Sequence, residues 1–472
     1  MSTSRALEGR WFPIRMSRYG NADRMRETWN PLLRPRGSTR AGLVVLVLTG
    51  SLLTSGAAEA AVPCFGRQAT IVGTRGDDLL VGTDGDDVVV GLGGFDRIRG
   101  RGGDDRICGG GDSDVVRGGE GDDRIEGNAG SDSAHGGPGG DRILLGTGAV
   151  EALFGGPGDD RLFGGPGSFD GLIGGGGDDM LHGGPGKDLA EFFGAPNGVT
   201  ADLEAGTATG QGDDDLVAVE GLVGSNFDDV LLGDGISNLI RGQEGDDVVD
   251  ARGSGTLAGL GADLIDGGAG ADALEGGAGD DIVTFEDSPG PVTADLSLGT
   301  ATGQGTDALS GFEAIVGTVF GDTLTGDAKA NAFAAGAGDD AIDGGGGIDQ
   351  AAYFDAGGPI AADLQAGVVT GWGTDALLGI EDLTGSAFGD VLTGDGGPNA
   401  IVGGSGPDLL AGAAGDDLLI GANGTDQADG GDGLDTCEAE AEVTCEADPA
   451  SARAPDGGWL ASEGNRRFER PV

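Results

Sequence analysis

Between Gly73 and Leu144 the aliphatic positions follow neither the two-residue spacing of a half-buried strand nor the helical spacing of about 3.6 residues. They recur every ninth residue, at Leu80, Val89, Ile98, Ile107, Val116, Ile125, Ala134 and Ile143. Each is the middle of a three-residue run such as Arg106-Ile107-Cys108, and six residues rich in Gly and Asp separate one run from the next. Side chains alternate across a strand, so the eighth place of each nonad points inward while the seventh and ninth point out. The six polar residues make a turn, in which glycines supply the positive φ values and close backbone approach it needs. Two nonads make one coil, and residues eighteen apart then stack on the same edge. Such short strands are stable only when stacking buries the aliphatic ladder. The predicted fold is all-β, a parallel β-roll or right-handed β-solenoid built from G-G-x-G-x-D-x-U-x units.

Further along, single insertions loosen the period, at Leu145 and near Ser168-Phe169. A larger repeat then takes over. The stretches 199–212 (VTADLEAGTATGQG), 292–305 (VTADLSLGTATGQG) and 360–373 (IAADLQAGVVTGWG) are three copies of one spacer, each followed by nonads. Phe192-Phe193, Phe285 and Tyr353-Phe354 precede the spacers and are expected as core of wider coils. The implied organisation is a leader with signal peptide (1–60), a first β-roll block (61–193) and three spacer-plus-nonad blocks (194–285, 286–354 and 355–438). A cap and loose tail (439–472) end the chain. No Pro/Ser-rich linker separates the blocks, so they read as one continuous solenoid.

Composition sharpens this picture. The chain has 472 residues, 104 of them Gly, and a formal net charge of −53. That charge disfavours nucleic acid as a partner, because binding phosphates needs a basic surface. A multivalent cation fits better. Arg34, Arg36 and Arg40, the apolar run 41–53 and Ala58-Glu59-Ala60 read as a secretory signal peptide. A retained segment would instead be a membrane anchor, for which the run is marginally short. Removal of 1–60 takes nine basic and four acidic side chains and leaves −58. Cys64, Cys108, Cys437 and Cys445 in a secreted chain suggest disulfides. Four cysteines admit three pairings, of which the nearest-neighbour one staples both ends of the solenoid.

The sixth place of the unbroken nonads is always Asp: Asp78, Asp87, Asp96, Asp105, Asp114, Asp123, Asp132 and Asp141. Stacking sets Asp105 above Asp123 along one edge, and like charges so placed repel. A hard divalent cation between the turns removes that repulsion. Calcium takes six to eight oxygen ligands in flexible geometry, whereas zinc wants His or Cys and magnesium keeps its waters. Oxygen-only turns therefore point to multiple Ca2+ ions, with binding coupled to folding.

The nonads resemble the hemolysin-type calcium-binding repeats of the RTX (repeats-in-toxin) family over about residues 66–438. The resemblance implies calcium held between stacked turns by sixth-place Asp and neighbouring carbonyls. Carried over, the ligands are the eight above, then Asp160, Asp179 and Asp188, then Asp229, Asp247, Asp263, Asp272, Asp281, Asp322, Asp340, Asp349, Asp390, Asp408, Asp417, Asp426 and Asp435. Glu151 in place of Asp, the neutral Asn238, Asn331 and Asn399, and Ala258 in place of a first Gly depart from the pattern. Sites there are expected to be weaker or vacant. Family members commonly leave the cell through a one-step exporter that reads a C-terminal signal, whereas this chain reads as carrying an N-terminal one.

Other chemistry finds little support. His135 and His182 are the only histidines, both at outward ninth places, and no H-E-x-x-H or G-x-S-x-G occurs. No carboxylate pair is singled out as a glycosidase pair would be. Arg97, Arg99, Arg106, Arg124, Arg142 and Arg161 read either as a polyanion-binding strip or, the preferred reading, as an outward face paired with nearby acids. The expectation is a secreted, non-catalytic calcium-binding protein with a structural or surface-interaction role and room for a cell-surface or matrix partner. The competing readings are an RTX-type extracellular hydrolase or epimerase with its site in the spacers, and a cell-surface adhesin.

Overall fold

The computed structural model describes residues 63–252, 262–439, 441–443 and 445. The expected leader and cleavage site (1–60), Ala258 and the expected loose tail after Glu446 lie outside these residues. Short strands stack into two parallel sheets that face each other across one core. In one sheet Val88–Gly93, Arg106–Gly111, Arg124–Ala129 and Arg142–Gly146 follow in register, so Val89 meets Ile107, Ile107 meets Ile125 and Ile125 meets Ile143. In the other, Ile98 lies beside Val116 and Val116 beside Ala134. These eighth-place side chains are fully buried and form a single ladder running the length of the described stack. Parallel neighbours eighteen residues apart satisfy the backbone of strands too short to stand alone.

The period loosens differently from the sequence expectation. Leu145 is not an insertion: Leu144 pairs with Glu126 and Gly146 with Asn128, so Leu145 occupies the first place and is buried in the core. The extra residue is absorbed in the next turn, which restores register by pairing Ala152 with Ser133. The next turn on the same edge (164–170) does the same, and Asp170 pairs with Glu151. A turn tolerates an added residue where a three-residue strand would flip every side chain.

Each spacer folds as an antiparallel meander inside one sheet. Thr200–Asp202 pairs with Thr207–Thr209, which pairs with Asp213–Val217. The last strand lies parallel to Met180–His182 and the first parallel to Val230–Leu232. The facing sheet gains only Gly221–Val223 over the same stretch. The wider interior is filled by Phe192, Phe285 and Tyr353, as expected, while Phe193 and Phe354 are only half-buried. A second apolar cluster (Leu189, Leu239, Leu264, Ile282 and neighbours) occupies outward places of that facing sheet.

Both ends carry a cysteine pair. Cys64, in a short hairpin over Val88 and Val90, lies with its Cα 5.9 Å from that of Cys108. Cys437 takes an eighth-place core position, 5.8 Å from Cys445. Both separations suit a disulfide.

Candidate metal centre

The turns place sixth-place carboxylates in two columns, one on each edge of the solenoid. Each column is a zipper. The main-chain N–H of Asp78 donates to Asp96 Oδ1 at 2.8 Å, that of Asp96 to Asp114 Oδ1 and that of Asp114 to Asp132 Oδ1. On the other edge Asp87 donates to Asp105, Asp105 to Asp123 and Asp123 to Asp141, all at 2.8 Å. The same bond recurs near the far end, from Asp408 to Asp426 and Asp417 to Asp435, at 3.0 Å. One oxygen of each accepting carboxylate therefore ties coil to coil.

The second oxygen divides the predicted residues into two groups. In Asp78, Asp87, Asp229, Asp322 and Asp390, carboxylate oxygens accept from the N–H and hydroxyl of a second-place Thr or Ser in the same turn. Those partners are Thr74, Thr83, Ser225, Thr318 and Ser386. In Asp96, Asp105, Asp114, Asp123, Asp132, Asp141, Asp160, Asp179 and Asp188, Oδ2 is buried with no hydrogen-bond partner. The same holds for Asp247, Asp263, Asp272, Asp281, Asp340, Asp349, Asp408, Asp417 and Asp435. The signal separating the groups was present in the sequence, as Gly-Thr or Gly-Ser at the head of the nonad.

Sequence reasoning missed seven carboxylates on these columns. Asp170 is register-matched to Glu151, and its Oδ1 and Oδ2 are both buried without a partner. In the wide coils Asp214, Asp307 and Asp375 accept from the N–H of Asp179, Asp272 and Asp340. On the opposite edge Glu220, Glu313 and Glu381 accept from Asp188, Asp281 and Asp349. Their recurrence at fixed places in three spacer copies was the available signal. After each Glu comes an Asn whose Oδ1 is taken by a main-chain N–H of its own turn, from Asp234, Asp327 or Asp395. Glu151 turns Oε1 to Gly148 N–H and leaves Oε2 buried and unpartnered.

Burial without a counter-charge raises these groups. Burial first, then neighbouring carboxylates, push Asp114, Asp123, Asp160 and Asp179 up to about 7 and Glu151 and Asp281 up to about 8. The backbone supplies further oxygens. A Cβ added to Gly100 would lie 2.5 Å from the Gly118 carbonyl oxygen and collide with Asp105 Oδ2. The first-place glycine thus keeps open a space where a carboxylate oxygen and a carbonyl of the next coil converge. Among the described residues no three His, Cys, Asp or Glu side chains form a preformed metal cluster. An ion here must draw on carbonyls as well as carboxylates, a donor set that suits a hard oxygen-seeking cation.

His135 stacks on Phe154 with centroids 4.1 Å apart, and burial lowers it to about 4. It is no metal ligand in this arrangement. The expected pairing of the outward arginines is not found: among the described residues the ion pairs involve Arg241, Arg252 and Lys329.

No curated protein matches this chain. A family model described as the RTX calcium-binding nonapeptide repeat (4 copies) matches residues 69–96, 81–116, 117–150, 152–168, 169–190, 223–253, 257–285, 316–351, 375–410 and 402–437. The main gaps fall on the three wide coils. Matched over more than half its length, and folded as the stacked, carboxylate-edged coil its nonads require, the chain belongs to the RTX calcium-binding nonapeptide repeat family.

Proposed function

We propose that this protein is a secreted, non-catalytic calcium-binding solenoid that folds as it takes up calcium and serves a structural or surface-interaction role. The observation that carries this reading is the column of buried Oδ2 atoms without partners, repeated from Asp96 to Asp435. A buried, unpaired charge of this kind is strongly unfavourable. The unpartnered Asp residues of both columns, with first-place Gly carbonyls, are the residues that would hold the ions. Asp170 and Glu151 extend this set. Bound calcium supplies positive charge between like-charged turns. Asp78, Asp87, Asp229, Asp322 and Asp390, already satisfied by Thr or Ser, are the weakest members, and the Asn rungs stay vacant.

The four blocks 61–193, 194–285, 286–354 and 355–438 act as one stack, a reading supported by the parallel pairing of Gly221–Val223 on both sides and by the unbroken core ladder through the wide coils. Extracellular calcium modules work near 10⁻⁴–10⁻³ M, so the chain stays unfolded at cytosolic calcium and folds outside. The cysteine pairs at the two ends support an oxidising destination. Circular dichroism during a calcium titration tests the coupling. The β signal should rise cooperatively in the millimolar range and vanish on chelation. A full β signal in excess chelator, unchanged by calcium, refutes it.

A further inference from the structure

Four arginines stand on consecutive rungs of one sheet. Arg106 pairs in register with Arg124, Arg124 with Arg142, and Arg142 with Arg161. Parallel rungs are about 4.8 Å apart, so the four guanidinium-bearing positions span about 14 Å in a straight line. Arg124, Arg142 and Arg161 are exposed and Arg106 is half-buried. None of them takes part in an ion pair among the described residues. In a chain with 80 acidic residues, that isolation is informative. Like charges directly opposite on neighbouring strands are destabilising, so this column does not serve the stability of the coil.

The neighbouring outward column has a different character. Its ninth places run from Cys108 and Glu126 to Leu144, Phe163 and His182, so the half-exposed aromatic strip borders the Arg142–Arg161 end of the row. Arg142 lies over the Phe163 ring at 4.7 Å, and Phe163 and His182 have centroids 5.8 Å apart. A planar guanidinium row beside an aromatic strip suits a chain of rings that bear an acidic group at each repeat. Arginine's fork bonds sulfate or carboxylate bidentately, and the ring faces accept the apolar side of a sugar. The exposed Asp86, Asp104, Asp122 and Asp159 border the strip along its turn edge. They repel a broad polyanion such as a nucleic-acid duplex or an anionic bilayer and leave room for a single narrow strand.

We propose that this face binds a linear acidic polysaccharide, its sulfate or uronate groups seated one per rung on Arg106, Arg124, Arg142 and Arg161 beside the Phe163–His182 strip. The proposal rests on the folded coil of the reading above and goes beyond it by naming a partner. Ions in the bordering turns lower the negative charge that any polyanion must approach, so binding should strengthen with calcium loading.

The test uses the full secreted chain in calcium, with its β signal recorded first. Titration calorimetry compares short dextran sulfate and oligogalacturonate with uncharged dextran, duplex DNA and phosphatidylserine vesicles. Binding is expected for one or both acidic saccharides, with dextran silent and DNA and vesicles at least tenfold weaker. A triple variant, Arg124→Gln with Arg142→Gln and Arg161→Gln, should lose at least tenfold in affinity while its calcium midpoint for folding stays put. If that variant misfolds, the triple Arg→Lys variant, which keeps charge and loses the fork, should bind more weakly than the parent at equal β signal. Absence of saccharide binding overturns the proposal, as does equal binding by the folded variants or by DNA or vesicles. A β signal indifferent to calcium would refute the folding reading alone, since the binding comparison can still be made on that folded chain.

Discussion

At the residue scale, two aspartates of the same place do different work. Asp123 leaves Oδ2 buried and unpartnered, whereas Asp78 Oδ2 accepts from the N–H and hydroxyl of Thr74 in its own turn. Asp123→Asn should therefore lower the calcium bound per chain and raise the calcium midpoint of folding several-fold, and Asp78→Asn should leave both nearly unchanged. Equal effects in metal analysis and dichroism would remove the distinction. Glycine at the first place is set by the approach of Gly118 O and Asp105 Oδ2, so Gly100→Ala should cost about 1–3 kcal/mol of stability in calcium, read by thermal unfolding. Asp112 stands at a fourth place with φ +66°, where Gly94 and Gly103 have φ +94° and +95°. Asp tolerates that left-handed backbone better than most residues, and its Oδ2 accepts from Gly94 N–H at 3.2 Å.

At the scale of the element, strands of two to eight residues contribute one or a few inward side chains each, so every rung depends on its neighbours. Ile125 is fully buried between Ile107 and Ile143. Ile125→Ala should destabilise by about 2–5 kcal/mol through the cavity it leaves, seen as a lower Tm in saturating calcium. Leu79→Thr, at an outward place 54% exposed, should change stability by no more than about 0.5 kcal/mol. The contrast checks the inward assignment of the eighth place. The wide coils show that the unit of this fold is a rung and not a fixed number of residues. A meander adds three strands to one sheet, yet Asp214 and Glu220 still accept from the main-chain N–H groups of Asp179 and Asp188 in the preceding coil.

At the scale of the whole molecule, the raised carboxylates make stability depend on pH in opposite ways with and without metal. The folded values of about 6 to 8 exceed the ordinary 3.8 for Asp, so the folded chain holds more protons than the unfolded one over that interval. Without metal, stability is fullest below about pH 4 and is lost as pH rises through 6 to 8. In chelator the β signal at pH 4.5 should exceed that at pH 7.5, and equal signals would contradict this account. Protons compete with calcium for the same oxygens, so the calcium midpoint should rise as pH falls below about 6. Reducing the cysteine pairs should increase fraying at the two ends, measured by hydrogen exchange near Val88 and Leu419, with the centre unaffected.

The nine-residue period by itself determined the two facing sheets, the inward ladder and the sixth-place columns, because a strand this short has one viable partner, the rung eighteen residues away. Three things were decided only in three dimensions. Which carboxylate oxygens lack a partner was foreshadowed by a second-place Thr or Ser, but only the folded turn shows that its hydroxyl and N–H reach the sixth-place carboxylate. Asp170, Asp214 and Glu220 joined the columns because turns and meanders absorbed the insertions and restored register, which spacing alone does not reveal. Arg106, Arg124, Arg142 and Arg161, read as partners for acids, stand instead in register with one another, since the pairing that buries the aliphatic ladder also fixes what lies beside what on the solvent face.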